Sequence, residues 1–297
     1  MDYFLALSTT GIVMGIIYAL MALGLTLIYS ILSVINFAHG EFYMLGGYVS
    51  YFLLTLFTDL NPFIAVILSG FVVAIIGLVF EYLFLRPMHL DKIERPPEYA
   101  VLITFGLSFF LQNLALAVFG PYPHRPVSFF KGAVDLGIVR ISADRLTASV
   151  LSLVLLALLL LLINKTWIGK ALQAVSQSKD AAAIVGINPL RMNTIAFALG
   201  VGLAAVAGAL LAPSFSIAPN VGAVPSIRSY VIIVLGGMGS IPGSILGGVL
   251  IGLVESFGAG YFPDPSRGLI YKTYFGLVIF ALVLLLRPTG FFGRKES

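Results

Sequence analysis

Apolar residues in this chain come in long runs rather than in alternation with polar ones. The runs fall at Thr9–Ile31, Phe42–Phe57, Pro62–Leu85, Glu98–Phe119, Leu146–Ile163, Thr194–Ala212, Tyr230–Phe257 and Leu269–Leu286. A helix needs about 20 residues, within about 17 to 25, to cross the hydrocarbon of a bilayer. Most runs fit that length. Phe42–Phe57 is short, and Tyr230–Phe257 is too long for one simple span. Strands of a membrane barrel alternate apolar and polar residues, whereas Leu146–Ile163 is apolar on every face. The pattern predicts an all-α polytopic transmembrane helical bundle of about eight to nine spans, with one segment broken by Gly and Pro near residues 236–243.

Composition agrees. Of 297 residues, 59% are hydrophobic and 10% charged, against about 25% charged in soluble domains. No stretch is long enough for a separate soluble domain of ordinary size, so residues 1–297 read as one transmembrane domain with lipid as its surroundings. The absence of Cys excludes disulfides, thiolate metal sites and thiol catalysis. The net charge of +4 reflects loop charge that sets orientation, not binding of nucleic acid. The start Met1-Asp2 has no basic region, so no cleaved signal peptide is expected.

Lys and Arg near span ends favour the cytoplasm. The stretch 164–193 carries Lys165, Lys170, Lys179 and Arg191; the stretch 86–98 carries Arg86, Lys92 and Arg95; the C-terminus carries Arg287, Arg294 and Lys295. Trp167 follows Lys165 where an interfacial anchor belongs. Alternation puts the basic stretch Gly120–Arg145 outside, between two cytoplasmic loops. An even number of crossings must then separate 164–193 from the C-terminus, yet three runs lie between them. Tyr230–Phe257 therefore counts as two passes or as a re-entrant hairpin. Gly236, Gly237, Gly239, Ser240, Pro242 and Gly243 supply its break. That break either lines a transport pathway or is a kink or close-packing patch.

Few polar residues interrupt the runs. Asn36, His39 and Glu41 either line a pathway or cap and pack the helix that starts near Phe42. Gln112 and Asn113 suit interhelical hydrogen bonds. Glu81 suits an interface or a pair with Arg86. Glu255 has Lys272 as a partner on the next run, where the pair is structural or shapes an external docking surface. Gly200, Ala204, Gly208 and Ala212, and Ser244, Gly248, Gly252 and Ser256, each make one smooth helix face for close packing. There is no P-loop and no nucleophile–base set, and His39, His89 and His124 lack metal-ligand spacing. No catalytic activity, metal or cofactor is expected of this chain itself.

The stretch 164–193 also holds Lys179, Asp180, Ala181, Ala182, Ala183, Ile184, Val185 and Gly186, then Ile187-Asn188-Pro189. Alanine favours a short helix, Gly186 suits its stop, and Pro189 lies just beyond. The pattern resembles the E-A-A-x-x-x-G loop of ABC-importer permeases, with Asp180 in place of the usual Glu. Ile35-Asn36-Phe37-Ala38-His39-Gly40-Glu41-Phe42 with Gly46, Gly47 and Tyr48 resembles the N-terminal signature of branched-chain amino-acid ABC permeases of the LivH type. Val234-Leu235-Gly236-Gly237-Met238-Gly239-Ser240-Ile241-Pro242-Gly243 with Gly247-Gly248, and the ending Arg287-Pro288-Thr289-Gly290-Phe291-Phe292-Gly293-Arg294, resemble their second and closing motifs.

The resemblance implies an inner-membrane, multi-pass subunit of a bacterial importer. Its partners would be a second related permease, two cytoplasmic ABC ATPases that bind ATP and Mg, and an external solute-binding protein. The ATPase-coupling loop would be 164–193, with Lys179, Asp180, Ala181, Ala182 and Gly186 at its tip. The implied substrates are branched-chain or other apolar amino acids, with urea and short amides as the alternative. A secondary transporter using Glu41, Glu255 or Lys272 is the rival from another class; a docking helix has no use there.

Overall fold

The computed structural model describes residues 2–90, 93–135, 137 and 139–293; Lys92, Arg294 and Lys295, counted above, lie outside the described residues. Eleven α-helices are present among the described residues: α1 (Asp2–Leu32), α2 (His39–Leu56), α3 (Pro62–Phe80), α4 (Pro96–Phe119), α5 (Ala143–Lys165), α6 (Trp167–Gln177), α7 (Lys179–Ile184), α8 (Pro189–Phe215), α9 (Ala223–Gly236), α10 (Ile241–Gly260) and α11 (Pro265–Leu286). A small antiparallel hairpin pairs β1 (Ala133–Asp135) with β2 (Arg140–Ser142) in the loop before α5.

Helix starts follow the chain's own punctuation. The Asn61 side chain accepts from Phe63 N–H at 2.9 Å with Pro62 next in line. Asn188 accepts from Arg191 N–H at 3.1 Å before Pro189. Ser240 accepts from Gly243 N–H at 3.2 Å with Pro242 in the first turn. Each cap satisfies an orphan donor, and proline sits where no N–H is needed. Ser33, with φ +59°, ends α1 and turns the chain back toward α2.

Helix α1 is the axis of the bundle, with 89% of its apolar window buried, whereas α11 has 6% buried and stands at the periphery. α1 packs antiparallel on α10: a Cβ on Gly15 would lie 2.7 Å from Val249 Cα, and one on Gly248 would lie 2.7 Å from Ala19 Cα. Thr26 and Ser244 share a 2.5 Å hydrogen bond, and Ser256 donates to Leu7 O at 2.7 Å. α8 meets α1 where Gly200 faces Gly24 and meets α2 where Gly208 faces Tyr43. Both small-residue faces read from the sequence are therefore helix–helix contacts, held by close approach where lipid offers no hydrophobic drive.

Among the described residues, seven helices are long and apolar enough to cross a membrane: α1, α3, α4, α5, α8, α10 and α11. That is fewer than the eight to nine expected. The difference lies in α2 and α9. α2 opens on His39-Gly40-Glu41, and α9 has 14 residues with Arg228 among them. Both pack inside the protein, so neither has to satisfy lipid along its length. The over-long Tyr230–Phe257 run is two antiparallel helices, α9 and α10, with Gly236 against Gly243 and Arg228 across from Glu255. α8, α9, α10 and α11 return the chain to the side on which α8 began, as charge parity requires.

Candidate functional site

At the end of the bundle that carries Lys165, Lys170, Lys179 and Arg191, α6 and α7 follow α5. Gly169, Ala171, Leu172 and Val175 seat one face of α6, and Gly169 packs on the backbone of Leu162 and Ile163. Ser178 caps α7, accepting from Ala181 N–H at 3.2 Å. α7 ends in a Schellman motif: Ile187 N–H donates to Ala182 O and Gly186 N–H to Ala183 O, both at 3.0 Å, with Gly186 at φ +87°. Of the tip residues expected from sequence, Ala182 is buried, and half-burial pushes the Lys179 amine pKa down. Beyond them Ile184 and Val185 are 87% and 73% exposed.

Asn36, His39 and Glu41 are all buried. Asn36 Oδ1 accepts from Ala38 N–H at 3.1 Å, and its backbone oxygen accepts from Tyr230 OH at 3.0 Å. His39 Nε2 lies 3.0 Å from Met21 O, which pins the start of α2 against the middle of α1. Glu41 sits in the first turn of α2, where the helix N-terminus favours a carboxylate, but the N-cap itself, Ala38, has no side-chain bond. Gln112 on α4 donates to Glu41 at 2.7 Å, an interhelical bond, while Asn113 bonds only within its own helix. Asn36 Nδ2, His39 Nδ1 and Glu41 Oε2 have no protein partner among the described residues.

The Gly/Pro break is the turn 237–240 that joins the end of α9 to the start of α10, beside Ser30 near the end of α1. Gly237 and Gly239 have φ of +96° and +82°. The closing segment folds back over this turn: Phe291 N–H donates to Leu235 O at 2.9 Å and Phe292 N–H to Gly236 O at 3.1 Å. The second and closing motifs thus form one unit at the end of the bundle, not an opening at its middle.

Other expectations shift. Glu81 does not pair with Arg86; it is buried in a π-helical turn, Glu81–Leu85, and accepts from Thr194 at 2.5 Å. Arg86 lies over the Tyr82 ring at 4.8 Å. Glu255 meets Lys272 at 3.8 Å, with the Glu255 side chain 1% exposed and that of Lys272 25% exposed, so the carboxylate is interior and the lysine reaches toward the surface.

Sequence reading missed Arg228. Its Nε lies 2.7 Å from Glu255 Oε1, its Nη2 donates to Thr273 at 3.2 Å, and its guanidinium sits 4.7 Å from the Tyr18 ring. The available signal was cost: an arginine two positions ahead of an apolar run must find a partner, and Glu255 was already marked. Arg228 borders a cavity of about 300 Å³ between α1, α2, α8 and the start of α9, in the outer half of the bundle. Asn36, His39 and Glu41 do not line it.

A family model described as branched-chain amino acid transport system / permease component matches residues 7–286. The chain belongs to that family. The permease is 34% identical to the high-affinity branched-chain amino acid transport system permease protein BraD of Pseudomonas aeruginosa, over 99% of this chain and 97% of the relative. It is 31% identical to the protein LivH of the same description from Escherichia coli K12, again over 99% and 97%. A probable branched-chain amino acid transport permease protein LivH of Methanocaldococcus jannaschii is 30% identical over 95% of this chain and 90% of its own length. Among the described residues, the match runs through the seven helices of the permease that are long and apolar enough to cross a membrane and through α6 and α7.

Proposed function

We propose that this chain is the membrane-spanning permease subunit of an ATP-driven importer of branched-chain or other apolar amino acids in the cytoplasmic membrane. It pairs with a second related permease around a shared path, takes up solute from an external binding protein, and is driven by two cytoplasmic ATPases that hold ATP and Mg. One observation carries the reading: α7, a capped helix stopped by a left-handed glycine, leaves Ile184 and Val185 uncovered by the rest of the chain on the basic side of the bundle. Two adjacent large apolar side chains at the tip of a projection are what a protein partner covers. The bundle beneath is built on close backbone packing, so a push on α6–α7 reaches α5 and α8 directly.

Affinity purification of the chain from native membranes tests this. Recovery of a second permease together with cytoplasmic ATPases is the expected result. An active homo-oligomer without ATPases would overturn it and favour a secondary transporter.

A further inference from the structure

Arg228 and Lys272 both face Glu255, so the interior cluster has two cations for one carboxylate. The side chains of Arg228 and Lys272 are 17% and 25% exposed. A buried charge left over in a membrane protein is costly, and such groups mark ligand paths by default. Arg228 also forms part of the cavity wall. The rest of that wall is mainly apolar, including Met21, Leu211 and Val224, with Tyr18, Tyr43 and Asn220 as oxygen-bearing groups. The volume, about 300 Å³, sits at the lower end of small-molecule sites, roughly 300–1,000 Å³.

We propose that this cavity is a transit subsite for a zwitterionic apolar amino acid, with the substrate carboxylate on Arg228 and its side chain against Met21 and Leu211. The proposal rests on the import reading above and adds a place and a polarity to it. A carboxylate beside Arg228 supplies the second anion that the cluster lacks. The α-ammonium finds oxygen acceptors in Asn220, Tyr18 and Tyr43. The apolar wall discriminates weakly among side chains, because one methylene in an apolar pocket changes affinity only modestly. A subsite that releases its ligand toward the cytoplasm suits that weakness.

The test uses the complete importer in nanodiscs, without binding protein. Saturation-transfer NMR reports contact with leucine and with leucinamide, which lacks the carboxylate. Wild type should contact leucine at least fivefold more strongly than leucinamide. Arg228→Gln, which leaves Glu255 balanced by Lys272, should erase that preference, and Arg228→Lys should restore part of it. Ala207→Phe fills the cavity and should abolish contact with both. Equal contact with leucine and leucinamide in wild type, or unchanged leucine contact in Ala207→Phe, overturns the proposal; a lipid chain or the partner permease then fills the cavity. Amino-acid uptake by the wild-type importer is measured alongside. Uptake with unaltered variants removes only the subsite, whereas a wild-type assembly that imports no amino acid removes the import reading as well.

Discussion

Arg228 on α9 and Glu255 on α10 form an ion pair at 2.7 Å inside the bundle, and Tyr18 on α1 donates to the same carboxylate at 3.2 Å. Three helices are tied at one carboxylate, with Lys272 of α11 as a fourth group at 3.8 Å. The arrangement is asymmetric, since the anion has two cations and each cation has the one anion.

That asymmetry orders two variants. Glu255→Gln leaves Arg228 and Lys272 uncompensated and should cost about 3–5 kcal/mol, as breaking buried pairs does. Arg228→Gln leaves Glu255 paired with Lys272 and should cost about 1.5–3 kcal/mol, the scale of a hydrogen bond to a charged group. Thermal unfolding of the purified chain in detergent compares them. A lower midpoint for Arg228→Gln than for Glu255→Gln would contradict the cluster as described.

Gly248 and Gly106 should respond oppositely to an added methyl. A Cβ on Gly248 meets the backbone and side chain of Ala19 at 2.7 Å, so Gly248→Ala forces α1 and α10 apart and costs about 1–3 kcal/mol. Gly106 lies within α4 with nothing within 4 Å of its Cβ position, so Gly106→Ala should stabilise by about 1 kcal/mol through helix propensity. The same unfolding assay reads both signs.

The chain has no Cys, so single-cysteine variants report topology directly. Met238 in the α9–α10 turn is 51% exposed, and Tyr122 in the loop after α4 is 77% exposed. Met238→Cys should react with an impermeant thiol reagent in inside-out vesicles only, and Tyr122→Cys in right-side-out vesicles only. Labelling of Met238→Cys from the outside would contradict the placement of the turn.

Gly186 separates backbone need from docking need. Its φ of +87° costs an ordinary L-residue about 1–2 kcal/mol, while asparagine tolerates it. No atom lies within 4 Å of its Cβ position, so the bundle itself should be undisturbed by a substitution. Gly186→Asn should keep ATPase association within about threefold, and Gly186→Glu should weaken it more than tenfold, about 1.4 kcal/mol or more. Co-purified ATPase per permease is the readout; full retention in Gly186→Glu would remove α7 from the contact.

The fold was legible in the sequence wherever lipid or water dictated residue type. The long apolar runs, the two small-residue faces and the parity break each had a local cause. Protein-buried elements were less legible. α2 and α9 escape the composition rule because their neighbours, not lipid, satisfy them, which is why the span count differs. The partners of Glu81 and Glu255 lie far along the chain at Thr194 and Arg228, and no local spacing encodes such pairs. For Gly236–Gly243 the sequence left a pathway-lining break and a close-packing patch both open, because the covering segment, 287–293, is distant along the chain.

ATP-driven import through this chain requires ATP and binding protein together. The most direct measurement is leucine accumulation in proteoliposomes holding the purified assembly, with binding protein outside and ATP inside. Accumulation that requires ATP and binding protein and is lost in Gly186→Glu is the predicted result. Accumulation by this chain alone, driven by an ion gradient without ATP, would contradict it.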